Sequence, residues 1–204
     1  KRLSSNEWTD VMKLSINYAN LRGMPHNVTM GGTATKNCRR CQAGETETIP
    51  HVLGACPFHN LRRIARHHDV KHRLASLLRE KGMECYDEVA LTEPDGTNRR
   101  IDIVAFDHST QHCYLIDPSV RFESNADVGQ EVDTEKKRIY SPCLNSITAL
   151  YPQYRSYTPE IIGLWFGARG SISHQVVNFY EKFDLDKNNL KDISESILIG
   201  HIYT

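Results

Sequence analysis

A mixed α/β fold is what this sequence predicts, with a small cysteine- and histidine-bearing module ahead of it. Three observations carry that expectation. Apolar residues recur at helical spacing up to about residue 81 and in strand-like runs from residue 84 onward. Pro94-Asp95-Gly96 breaks those runs with strong turn chemistry, so the chain folds back as a hairpin. Cys38, Cys41, His51 and Cys56 crowd into one short segment, whereas Cys85, Cys113 and Cys143 are scattered.

Taken in order, residues 8–22 read as a short amphipathic helix, with Val11, Leu14 and Tyr18 at helical spacing. Residues 23–37 are rich in Gly, Thr and Asn and read as a loop. The pattern is helical again from Asn60 to Lys81. There Val70, Leu74, Leu77 and Leu78 form an apolar stripe, and Gly82 stops it. Residues 84–93, 99–106 and 112–118 read as strands, the last two joined through Asp107-His108-Ser109. A helix over about 126–140 is broken by Pro142, residues 160–167 form a further apolar strand, and residues 171–182 and 187–200 read as helices. After the cysteine cluster the order is α, β, β, β, α, β, α. Three segments result: a helix and loop over 1–37, a small module over 38–60 and a larger domain over 61–204.

Hydrophobic residues make up 39% of the 204 and charged residues 25%, which suits a globular chain rather than a disordered one. No apolar run reaches the length of a bilayer span, and no secretion signal is evident, so no membrane partner is expected. The chain begins at Lys1 without an initiator Met and reads as a piece of something longer. Net charge is zero, but residues 1–80 carry a net +7 and residues 81–204 a net −7. A basic half joined to an acidic half suggests a polyanion-binding region beside a carboxylate-bearing one.

The cysteine cluster has the spacing Cys38-x2-Cys41-x9-His51-x4-Cys56. Zinc takes four soft or borderline ligands in a tetrahedron, and these four residues at knuckle spacing supply them. Such a closed site is structural. It would present Arg39, Arg40 and the following helix to nucleic acid. On that helix Arg62, Arg63, Arg66 and Lys71 lie off the apolar stripe, as phosphate contacts or as a plain solvated face.

A second constellation is carboxylate-based. Asp102 lies in Arg99-Arg100-Ile101-Asp102-Ile103-Val104, and Asp117 ends Tyr114-Leu115-Ile116-Asp117. Antiparallel pairing of these two strands brings both carboxylates to one end of the sheet, a hard-oxygen site for magnesium or manganese. Spacing alone leaves open two strand-end aspartates facing solvent. Lys136 or Lys137, on the next helix, could aim an ammonium at the same place and stabilise charge on a phosphate.

The ordered combination of Cys-x2-Cys…His-x4-Cys, a basic helix, Arg-x-x-Asp-Ile-Val, a strand ending in Asp and Lys-x-x-x-Tyr resembles the C-terminal region of non-LTR retrotransposons that carry a restriction-like endonuclease. The resemblance covers roughly residues 10–170. It implies the αβββαβ core of the PD-(D/E)XK superfamily. Carried across, Asp102 takes the first metal-ligand position and Asp117 the second. Lys136, four residues before Tyr140, takes the catalytic lysine that has moved from strand to helix. Glu88 matches an acidic position that completes the metal shell, and Arg99 the basic residue ahead of the first aspartate. Three departures stand out. Ile101 replaces the usual Pro, Pro118-Ser119 follow Asp117, and Pro94-Asp95 is a literal Pro-Asp that turn chemistry explains.

The resemblance implies a nuclear enzyme that nicks genomic DNA and leaves a 3′-hydroxyl to prime reverse transcription. Its partners would be DNA, the element RNA and an upstream reverse transcriptase domain. A free-standing nuclease of the same superfamily, such as a junction resolvase, and an inactive nucleic-acid-binding module are the alternatives.

Overall fold

The computed structural model describes residues 4–28 and 35–202; residues 29–34, within the predicted loop, lie outside the described residues. Helix α1 is Ser5–Ser15, not the predicted 8–22. It starts early because Ser4 and Glu7 form a reciprocal capping box. It stops early because Asn17 turns left-handed, with φ 57°. A single turn, α2 (Pro25–Val28), leads to the cysteine segment. That segment is pinned by an antiparallel bridge between Asn37 and Thr46 and by a wide helical turn over His51–Ala55.

Helix α3 is Asn60–Glu80, close to the predicted bounds. Three antiparallel strands follow: β1 (Glu84–Thr92), β2 (Asn98–Asp107) and β3 (His112–Arg121). Helix α4 (Val128–Tyr140) and a short α5 (Leu144–Leu150) then cross over to β4 (Thr158–Gly167), which pairs parallel with β3. Helices α6 (His174–Lys182) and α7 (Asn188–Ile202) complete the chain. The sheet order is β1-β2-β3-β4. β3 continues through Pro118 past its predicted end. Its pairing with β2 has already stopped there, so the proline costs no donor to that neighbour.

Alternation splits the sheet's side chains between two helical layers. Ile103, Ala105, Ile116 and Phe166 pack under α3, α6 and α7 with Val70, Leu74, Leu78 and Tyr180. Val104, Phe106 and Leu115 pack under α4 and α5 with Tyr140 and Ile147. The cysteine segment is attached through its own small core, in which Ile49 and Leu53 meet Ala19, Met24 and Ala168. Among the described residues no helix is long and apolar enough to cross a membrane.

Candidate functional site

Strand register builds a row of polar side chains across the sheet. Asp87 pairs with Ile103 and Val89 with Ile101, so Glu88 falls opposite Asp102. Ile103 pairs with Ile116, so Asp102 comes into line with Asp117 one step further on. Asp117 pairs with Gly163. Within regular strand β1, Glu88 is left-handed with φ 56°. Tyr86 and Val89 consequently pack into the same layer despite their odd spacing, as do Ile101 and Val104 on β2. Both strands roll over at this row. A non-glycine residue in that conformation is strained, and such strain concentrates at functional sites.

Each member of the row is met by a helix residue. Lys136 Nζ on α4 lies 2.9 Å from Asp117 Oδ1, and both side chains are nearly buried. The Tyr140 hydroxyl, one turn on, donates to Asp117 Oδ2 at 2.6 Å and also lies 2.9 Å from the Arg100 carbonyl oxygen. Burial pushes the Asp117 carboxyl above its ordinary range, against the pull of Lys136, and nearby Asp102 pushes the same way. On α3, His67 Nε2 lies 3.2 Å from Asp102 Oδ1, and that hydrogen bond raises the imidazole. Lys71, one turn further along α3, pairs with Glu88 and holds its carboxyl low. Gly163 completes the geometry: a Cβ there would sit 2.7 Å from Asp133 Cα and 3.0 Å from Lys136 Cγ.

The two lysines part company. Lys137 pairs with Asp133 at 2.6 Å and points away from the row. Asp95 accepts from the Thr97 amide at the exposed hairpin tip and belongs to the turn. Arg99 is exposed and paired with Glu93. Two expected phosphate contacts need correction. Lys71 is buried against Glu88, because it shares the inward stripe of Val70 and Leu74. Arg66 is buried too, with Nη2 donating to the Leu53 carbonyl at 3.3 Å, so it ties α3 to the cysteine segment. Glu88, expected to complete the shell of the two aspartates, is paired with Lys71. Among the described residues, only the cysteine–histidine group brings three or more metal-ligand atoms within 4.8 Å of one another. Lys71 draws Glu88 aside.

His67 was not singled out from sequence. The signal existed: His67 precedes Val70 by three residues and Leu74 by seven, so the stripe extends back to it. Asp102 and Asp117 are two buried carboxylates on adjacent strands, met by His67 and Lys136 respectively.

At the cysteine segment, Cys38, Cys41, His51 and Cys56 place their donor atoms within 4.8 Å of one another, a group that could hold a metal ion. Cys38 Sγ and Cys56 Sγ are 3.8 Å apart, and Cys41 Sγ is 3.3 Å from His51 Nε2. Ligand bonds of about 2.0–2.3 Å in a tetrahedron give separations of roughly 3.5–3.8 Å, so the spacing fits zinc. The Arg40 amide donates to Cys38 Sγ at 3.5 Å. Arg39 braces the fold through buried Glu47, Arg63 donates to the Cys56 carbonyl at 2.6 Å, and Arg40 lies over the Phe58 ring.

Fold and sites together define a mixed α/β protein with a four-stranded sheet, a buried aspartate–lysine centre and a three-cysteine, one-histidine metal group. Comparison with known proteins gives its relationships. The chain is homologous to part of the retrovirus-related Pol polyprotein of the type-1 retrotransposable element R2 from Popillia japonica. It is 30% identical over 172 residues, which is 82% of this chain and 33% of that relative. A second R2 Pol polyprotein from the same organism is 26% identical over 141 residues, covering 68% of this chain and 28% of its own length. The chain thus spans about a third or less of the relatives it matches. No family model matches it. A solved protein of unknown function overlaps 55% of this chain and 52% of its own, at 18% identity and a TM-score of 0.31.

Proposed function

We propose that this chain is a magnesium- or manganese-dependent DNA endonuclease with a PD-(D/E)XK-type centre, which nicks a genomic target in the nucleus. It would leave a 3′-hydroxyl from which an upstream reverse transcriptase domain copies element RNA. The observation that carries the reading is the Lys136–Asp117 contact of 2.9 Å, in register with Asp102 on the neighbouring strand. Homology to a retrotransposon polyprotein supports it.

Asp102 and Asp117 are the residues that would hold the catalytic ion. When bound, such an ion supplies charge that polarises a phosphate and makes water more acidic. The remaining work falls to the chain. Lys136 keeps a proton at Nζ beside Asp117 and offsets negative charge as a water oxygen adds to phosphorus and the bond to the 3′-oxygen breaks. Tyr140 fixes Asp117 and His67 fixes Asp102, so neither carboxylate can swing away. Glu88 acts at the margin of the site through Lys71. In this reading the Cys38, Cys41, His51 and Cys56 group holds a structural zinc, and Arg40, Arg62 and Arg63 meet DNA phosphates.

Nicking of supercoiled plasmid in magnesium or manganese tests the proposal. Asp102→Ala, Asp117→Ala and Lys136→Ala should each lower the rate about a hundredfold or more, the usual scale for removing charge stabilisation from a transition state. Lys137→Ala and Asp95→Ala should stay active. An inactive Asp95→Ala beside an active Asp102→Ala would overturn the site assignment.

A further inference from the structure

Helix α3 carries three histidines in its middle turns, and only one of them is engaged. His67 meets Asp102 at 3.2 Å. His68 and His72 are exposed, and neither makes a hydrogen bond or an ion pair among the described residues. Four residues apart, they stand on one face of the helix, one turn above the other. Their ring centres are 6.3 Å apart, with the planes at 74°. Both rings keep their nitrogens for a ligand from outside.

Two imidazoles at this spacing form a chelate for a transition cation, because the helix fixes both Cβ atoms and leaves the rings free to turn. A zinc ion held by one nitrogen of each ring, at about 2.0–2.1 Å in a tetrahedron, puts the ring centres roughly 5 Å apart. Rotation of two exposed side chains closes the remaining gap of about 1 Å. The surroundings do not oppose a cation. Lys71 is neutralised by Glu88, and Arg73 by Asp69 at 2.8 Å. The Glu88 carboxyl is held low chiefly by Lys71, and His68 is close enough to act in the same direction, so a carboxylate stands near this face of the helix.

We propose that His68 and His72 form an open site for a borderline transition cation such as zinc. It differs in kind from the cysteine–histidine group. That group offers four protein ligands, whereas two imidazoles leave the remaining positions to water. Zinc held by His68 and His72 therefore exchanges, and its occupancy follows the free zinc level. Magnesium does not compete, since it prefers oxygen ligands. The site is separate from the aspartate–lysine centre and stands or falls independently of the nuclease reading.

Isothermal titration calorimetry with zinc chloride tests it, on the full 204-residue chain without an affinity tag, after one equivalent of zinc has been added. Saturating magnesium is present throughout. One further binding event is expected. His68→Ala and His72→Ala should each weaken it about a hundredfold, the scale that a second tethered ligand contributes. Asp117→Asn should leave it unchanged, which separates this site from the aspartate row. NMR of the imidazole groups should show zinc shifting His68 and His72 together, with His112 and His174 unmoved. The proposal is overturned if no further event appears at millimolar zinc, or if either alanine variant binds the further zinc like the unsubstituted chain. It is also overturned if Asp117→Asn abolishes the event, or if the imidazole signals of His68 and His72 stay in place.

Discussion

Lys136 and Lys137 are adjacent in sequence and opposite in setting. Residues one step apart on a helix point about 100° apart, so only one of the two can face the sheet. Lys136 is 13% exposed and lies against Asp117, whereas Lys137 is 54% exposed and pairs with Asp133 four residues back. Stability should separate them independently of activity. Lys136→Ala leaves a buried carboxylate without its cation and should cost about 3 kcal/mol. Lys137→Ala removes an exposed lysine from Asp133, which keeps the Gly163 amide as a partner, and should cost less, about 1 kcal/mol or under. Urea midpoints read the difference, and equal losses would contradict the placement. Sequence alone kept both lysines as candidates, because helical phase at 126–140 was not anchored by a clear stripe. It named Asp102 and Asp117 from strand ends and turn length. It gave no hint that Glu88 is left-handed, since that conformation arises where two strands roll over together.

At the scale of elements, helix α4 can approach β4 only because position 163 carries no side chain. Gly163→Ala would put a methyl 2.7 Å from Asp133 Cα and 3.0 Å from the Val132 carbonyl, both backbone atoms that cannot swing aside. The expected cost is about 1–3 kcal/mol, with Lys136 displaced and nicking reduced. Equal urea midpoints and equal nicking would show that α4 shifts freely. The β2–β3 turn carries a pH-dependent contribution. Asp107 accepts from the amides and hydroxyls of Ser109 and Thr110, and its carboxyl falls from the ordinary 3.8 to about 2. A depressed acid stabilises the fold above its unfolded value and loses that contribution as pH falls through about 4 towards 2. Asp107→Asn should therefore lower the urea midpoint at pH 7, and the difference should shrink steadily as pH falls from about 4 towards 2. A constant difference would assign the effect to shape instead of charge. The strands were legible to within a few residues, because apolar runs and Pro94-Asp95-Gly96 mark them locally. Helix α5 was not, since Pro142 and Pro152 bracket a segment too short to show a period.

The whole molecule joins the cysteine–histidine group and the aspartate row through α3. Its first turns brace the cysteine segment through Arg63 and Arg66, and its middle presents His67 and Lys71 to the aspartate row. The sequence reads α3 as a basic helix, and its arginines and lysine divide by burial. Arg62 and Arg63 remain partly exposed, while Arg66 and Lys71 are structural. The zinc reading predicts one tightly held zinc per chain by elemental analysis. Cys56→Ser should release it and unfold the cysteine segment, while Cys143→Ser should leave zinc content unchanged. Zinc kept in full by Cys56→Ser would remove Cys56 from the ligand set, and an unsubstituted chain purified without zinc would remove the metal altogether.

The central claim is that Asp102 and Asp117 share a divalent cation beside Lys136. Anomalous scattering from crystals grown in manganese tests it most directly, with data collected at the manganese and zinc edges. The expected result is a manganese peak bound by both aspartates and a zinc peak among Cys38, Cys41, His51 and Cys56. Manganese absent from the two aspartates at saturating concentration, or bound at Asp95 in the hairpin tip, would contradict it.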